Sequence, residues 1–211
     1  MKIRNVILSG AAGVLLSACN GMFSGIYDEP DAKTVSEFGF VTPVTVNGQG
    51  TVYIDATDYT KWVYIDFANR TVETTDVDSA APAQWDIAVH RYDVKTNGGE
   101  VAETDVADFI GITTLSESFA KDEWTTDVIV TDMSTMMDGY LSYADSFYNP
   151  VLSRWLDVDK STMPPIYTTS GRVYVVRLYD GRCLAVRLDN YMNDAGVKGY
   201  MTISYKYPFE I

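Results

Sequence analysis

From Phe38 to the C-terminus, short runs of β-branched and aromatic residues alternate with turn chemistry, and no run keeps a helical period. The runs Thr42 to Val46, Thr51 to Ile54, Trp62 to Phe67, Arg70 to Glu73 and Trp85 to Val94 are predicted strands, punctuated by Gly48-Gln49-Gly50, Ala68-Asn69 and Asn97-Gly98-Gly99. The sharpest signal is Val173 to Leu188, where apolar runs flank Asp180-Gly181. Read as a two-residue turn whose glycine takes a positive φ, this dipeptide predicts a hairpin with Val176, Leu178, Cys183 and Ala185 on one face. Cys183 is then a packed small hydrophobe rather than a reactive thiol. The pattern predicts an all-β, antiparallel domain.

One stretch departs from it. Asp132 to Thr168 has no strand period and holds Met133, Met136, Met137, Asp138-Gly139, Asn149-Pro150 and Met163-Pro164-Pro165, with a short helix expected within Val151 to Leu156. A segment this long between strands of a compact domain is commonly functional or poorly ordered. Its aromatic residues Tyr140, Tyr143, Phe147, Tyr148 and Trp155 argue for order.

The N-terminus follows another logic. Lys2 and Arg4 precede an apolar run, Val6 to Leu16, that is too short for a stop-transfer helix, and Leu16-Ser17-Ala18-Cys19 resembles the lipobox of bacterial lipoproteins. Residues 1–18 are therefore expected to be a signal peptide, Cys19 the acylated first residue of the mature chain, 19–37 a flexible tether and 38–211 a single β domain without internal repeats. Removing residues 1–18 deletes two basic residues and no acidic one, so the formal charge moves from −13 to −15. A field of that sign repels phosphate backbones and anionic headgroups, which argues against nucleic-acid binding and leaves membrane attachment to the lipid. With Cys19 acylated, Cys183 has no partner, and stability must come from burial.

The available chemistry is narrow. The chain has one histidine, His90, in a strand-like run, and it is expected to be structural. A single imidazole leaves little for a zinc or copper site, and no nucleophile elbow, phosphate loop, calcium repeat or CxxCH attachment site accompanies it. Carboxylates are plentiful, but no pair stands out, so no enzymatic activity is expected. Six methionines follow the tether, and four of them (Met133, Met136, Met137 and Met163) fall in the irregular stretch. Met163 precedes two prolines and belongs on a loop, and Met136-Met137 precede the turn signal Asp138-Gly139. Two loops could each offer a thioether sulfur, or the methionines could fill gaps in the packing.

The run Trp85 to Arg91, the run Asp132 to Met137, Met163-Pro164-Pro165, the hairpin at Asp180-Gly181, and Asn190-Tyr191-Met192 through Tyr205-Lys206-Tyr207-Pro208 together resemble the HmuY haemophore-like lipoproteins of Bacteroidetes. The likeness spans Phe38 to Ile211. It implies a hand-shaped antiparallel β domain with projecting loops and a minor helix, which holds haem b as non-covalent cargo and passes it to a TonB-dependent outer-membrane receptor. Host haemoproteins are the implied haem source. The implied location is the outer membrane, lipid-anchored and surface-exposed, with release in soluble form as an alternative. The founding pattern of two histidine ligands is not available here. The methionine-ligating branch matches at Met163 and at Met136, with Met137 the alternative to Met136. Tyr140, Tyr143, Phe147, Tyr148 and Trp155 are the candidate porphyrin cover, while Met192 and Met201 are expected in the core. The rival reading is a surface lipoprotein that takes a glycan or another tetrapyrrole through its aromatic loops.

Overall fold

The expected alternation is plainest in the last strand. In the computed structural model, which describes residues 38–43, 45, 47–110, 124–131 and 145–210, the strand Lys198–Lys206 buries every second residue: Gly199, Met201, Ile203 and Tyr205. The expected signal peptide and tether, Cys19, Met133, Met136, Met137, Tyr140 and Tyr143 lie outside the described residues.

Two sheets form the body. One is four-stranded, in the order β4(Thr71–Asp76), β3(Lys61–Asp66), β5(Ile87–His90), β6(Asp93–Thr96). The other runs β1(Gly39–Phe40), β2(Gln49–Asp55), β15(Lys198–Lys206), β14(Cys183–Met192), β13(Tyr174–Arg177), β7(Glu100–Glu103), β8(Thr125–Thr126). Pairing is antiparallel throughout the described residues, as expected for this all-β chain. The inner faces share one core: Val63, Ile65, Ile87 and Val89 from the first sheet join Ile54, Val176, Val186 and Ile203 from the second. This is sheet-on-sheet packing, with side chains from both layers interdigitating.

Two ribbons make up the other strands of the described residues. β9(Val128–Thr131) pairs with β10(Asp145–Tyr148), and β11(Leu156–Asp159) with β12(Ile166–Thr169). The described part of the supposedly irregular stretch thus contains three strands, β10, β11 and most of β12. These strands are four residues long and separated by prolines and polar residues, so no period shows in the sequence. The short helix expected at Val151 to Leu156 is a 3₁₀ turn, Leu152–Trp155.

Three local expectations change. No strand covers the described positions of 42–46; the strand lies at Gly39–Phe40, and the Thr42 hydroxyl instead accepts a hydrogen bond from the Thr51 amide at 2.7 Å. Trp85 to Val94 is not one strand but the hairpin β5–β6, turning at Arg91-Tyr92 with Arg91 at φ 55°. No glycine marks that turn because tertiary contacts hold it: the Arg91 guanidinium donates to the Thr57 carbonyl at 2.6 Å and lies over the Tyr59 ring at 4.1 Å.

The hairpin at Asp180-Gly181 exists with a different register. The Leu178 amide bonds to the Arg182 carbonyl and the Gly181 amide to the Leu178 carbonyl, so the loop is Tyr179-Asp180-Gly181 with Gly181 at φ 85°. A three-residue loop with glycine in the left-handed position moves the pairing by one residue relative to a two-residue turn. Val176 faces Leu184 and, with Leu178, enters the main core; Cys183 and Ala185 join Val175, Val173 and Phe209 on the opposite face. Cys183 is nevertheless buried, and desolvation pushes its thiol up, which keeps it a packing residue.

Trp155 is fully buried between the sheets, together with Leu152. Replacing Trp155 by alanine is expected to cost about 3–5 kcal/mol of stability through the cavity it leaves, read as a lower urea midpoint with an unchanged slope.

Candidate functional site

The β11–β12 ribbon turns inward along one face and outward at its tip. Val158 and Tyr167, which pair across the ribbon, pack against the core, whereas the connection beyond them is exposed and carries Met163, 90 % accessible to solvent. An unbranched apolar side chain so exposed contributes nothing to the fold, in contrast to Met201, fully buried on β15. Met192, expected in the core, is half-buried at the end of β14.

Below the tip lies a cationic aromatic platform. Tyr167 stacks on Tyr191 at 5.6 Å and 18°, meets Tyr92 at 5.2 Å with the two hydroxyls 3.1 Å apart, and carries the Lys198 ammonium 3.7 Å from its ring centroid. Arg91 donates to the Tyr92 hydroxyl at 3.0 Å and lies over that ring as well. Burial pushes the Tyr92 hydroxyl above its ordinary titration range, with the Tyr167 contact adding to it, so it stays neutral.

The β9–β10 ribbon is rooted next to the four-stranded sheet, and its connection, residues 132–144, contains Met136, Met137, Tyr140 and Tyr143, all outside the described residues. Of the other expected porphyrin-covering residues, Phe147 is half exposed and pairs with Ile129, which is 63 % exposed, so one face of the ribbon is apolar and open. Tyr148 is half-buried on the next position, and burial raises its hydroxyl. Trp155 is corrected: it belongs to the core and lines no surface site, because the 3₁₀ turn that follows Asn149 points it between the sheets.

Phe147 also forms part of the wall of a cavity of about 510 Å³, with Tyr64, Trp85, Lys95, Thr96 and Asp127. Across the outer face of the four-stranded sheet the register aligns Glu73, Tyr64, Ala88 and Lys95 in one row. Because the residue between them is alanine, the lysine reaches over it and donates to the Tyr64 hydroxyl at 3.1 Å. Its ammonium stands 4.0 Å from the Trp62 ring, 5.0 Å from Tyr64 and 5.6 Å from Trp85. Desolvation pushes Lys95 down to about 8, against a partial opposing pull from Asp127. Asp127 is itself raised by burial, and its oxygens accept from the Thr96 amide at 2.7 Å, the Thr96 hydroxyl at 3.0 Å and Asn149 Nδ2 at 3.0 Å.

Sequence reasoning missed this cavity. The available signal was Lys61-Trp62-Val63-Tyr64-Ile65-Asp66, where both alternate faces are apolar or aromatic, the mark of a strand covered on both sides. His90 behaves as expected: it is 2 % exposed, its Nε2 lies 2.7 Å from the Tyr59 carbonyl, and its ring rests 5.1 Å from Trp62. Among the described residues no group of three or more His, Cys, Asp or Glu side chains is placed to hold a metal ion, and no helix is long and apolar enough to cross a membrane.

A family model, described as HmuY protein, matches residues 58–205, which take in both ribbons and the Met163 hairpin. The chain belongs to the HmuY family. A crystal structure from Bacteroides vulgatus, assigned as an HmuY-like heme binding protein, is 49 % identical and superposes with a TM-score of 0.75 over 83 % of this chain and all of its own. A crystal structure from Bacteroides fragilis, assigned as a lipoprotein, is 46 % identical with a TM-score of 0.76, covering 85 % of this chain and all of its own. The apo HmuY analogue of Tannerella forsythia, at 24 % identity, shares the fold with a TM-score of 0.64 over 80 % of this chain and all of its own. No curated protein matches the chain.

The half-buried ammonium gives the HmuY-family domain a measurable signature. Unfolded, Lys95 titrates at its ordinary value of 10.5; folded, at about 8. Between those values the unfolded chain holds more protons, so this lysine makes stability rise with pH across that window. Thermal melts from pH 7 to 10.5 are expected to show the native protein gaining on Lys95→Met as pH increases, and a constant difference would contradict a perturbed lysine.

Proposed function

We propose that this HmuY-family chain is a haem-binding lipoprotein, a carrier rather than a catalyst, and that it holds iron protoporphyrin IX (haem b) between two methionine sulfurs. The observation that carries the reading is a contrast within the matched region: the Met163 thioether stands free at a ribbon tip, while the chain's one imidazole is buried and bonded. A side chain so placed is available to a ligand, and His90 is not. The second sulfur comes from Met136, or from Met137, on the connection of the other ribbon. The assignments of the Bacteroides vulgatus and Bacteroides fragilis relatives, heme binding and lipoprotein, support the same cargo and the same anchorage.

Ligand softness sets the chemistry. A thioether is neutral and polarisable, so two of them favour ferrous over ferric iron and raise the reduction potential relative to imidazole. Thioethers do not titrate near neutrality, which makes binding indifferent to mild acidification. Tyr148, Tyr140 and Tyr143 provide apolar cover for the ring, whereas Phe147 borders the cavity beside Lys95. Cys19 carries the lipid that holds the protein at the outer membrane, facing outward, where haem released from host haemoproteins is captured and passed to a TonB-dependent receptor.

The test is an absorbance titration of the protein lacking residues 1–19 with iron protoporphyrin IX, with and without reductant, beside Met163→Ala, Met136→Ala and Met137→Ala. Reduced haem is expected to bind more tightly than oxidised haem, with little change between pH 5.5 and 7.5. Loss of Met163, and of one of the adjacent pair, is expected to weaken binding at least tenfold, or about 1.4 kcal/mol. Native affinity in the Met163 variant, or preference for ferric haem, would rule out the sulfur ligation.

A further inference from the structure

The cavity above Ala88 stands apart from the methionine hairpin. Met163 does not line it, and its floor is the outer face of the four-stranded sheet. We propose that this cavity is a second binding site, for a small flat apolar carboxylate whose charge is met by the Lys95 ammonium and whose ring lies against Trp85 and Phe147.

Three features support that ligand class. The ammonium is positioned but under-used: among the described residues it makes one hydrogen bond, to Tyr64, and no ion pair, although it can donate three times. Asp127 offsets its desolvation only in part and forms no ion pair with it, its oxygens accepting from Thr96 and Asn149 instead. The three rings around it and Asp127 compensate its burial only in part, and an incoming anion supplies the remainder.

The walls select for flatness and against other chemistries. Trp85 meets Tyr64 edge-on at 81°, and half-exposed Phe147 borders the cavity from the ribbon. A cation is repelled by Lys95. The volume, about 510 Å³, falls within the range of roughly 300–1,000 Å³ usual for small-molecule sites.

A flat apolar carboxylate is also the chemistry of a tetrapyrrole's propionate edge, so the experiment separates the two sources. The domain carries its own core and superposes on crystallised relatives over their whole lengths, so the protein lacking residues 1–19 is used. Calorimetric titration with 2-naphthoate and with its uncharged analogue 2-naphthamide is expected to show the acid binding at least tenfold more tightly. Lys95→Met is expected to reduce the acid to the level of the amide while leaving the iron protoporphyrin titration unchanged. Equal binding of acid and amide, or binding of neither, overturns the proposal, and this comparison needs no variant to fold. Parallel loss of haem binding in Lys95→Met also overturns it, by assigning the cavity to the tetrapyrrole.

Discussion

The architecture depends on how the open edge of β6 is closed. This strand ends the four-stranded sheet, and an edge with unpaired amides and carbonyls invites pairing with another chain. Here the outward groups of Val94 are taken by one short segment: the Ser153 hydroxyl accepts from the Val94 amide at 2.9 Å, and the Asn149 amide donates to the Val94 carbonyl at 2.7 Å. Two residues along, Asp127 takes the Thr96 amide. Asn149 is fully buried and uses its whole side chain: Oδ1 accepts from the amides of Val151 and Leu152, and Nδ2 donates to the Thr125 carbonyl and to Asp127. A buried amide left without such a partner costs about 1–3 kcal/mol, so the knot tolerates little change.

That closure also determines where the ribbons begin. Asp127 precedes β9 and Asn149 follows β10, so one end of the first ribbon is clamped to the sheet edge at both strands. The 3₁₀ turn that follows Asn149 then drives Leu152 and Trp155 into the core and releases the chain into β11. Both ribbons therefore leave the sandwich from hydrogen-bonded roots, Asn149 to Asp127 for the first and the Ser170 amide to the Trp155 carbonyl for the second. Loops held by a stiff scaffold are the usual place for binding residues, and exposed Met163 is so placed, at the tip of the β11–β12 ribbon.

The same edge organises the outer face of the sheet. With β6 fixed, Lys95 is pinned on the side opposite Val94, where Ala88 leaves it room beneath the aromatic rings. Lys95 therefore sits among Trp62, Tyr64 and Trp85 under partial desolvation, the kind of environment that perturbs a pKa and marks a site.

Period-two alternation and turn residues are enough to read the all-β class, the strand regions of β2 to β6 and of the β13–β14 hairpin, the loop placement of Met163, the structural role of His90 and the burial of Cys183. These are properties of neighbours in the chain, since alternation and proline geometry act within a few residues. The register at Asp180-Gly181 was off by one because a dipeptide alone does not reveal whether Tyr179 belongs to the strand or to the loop. The turn at Arg91 and the burial of Trp155 escaped notice for a related reason: the first is held by Tyr59 and Thr57, the second by both sheets. The composition by itself determined which chemistries were affordable, with one imidazole and several thioethers. Only the tertiary structure decided which of those groups stand free and which are buried, and that a lysine with no local distinction lines a cavity, because burial is set by contacts between residues distant in sequence.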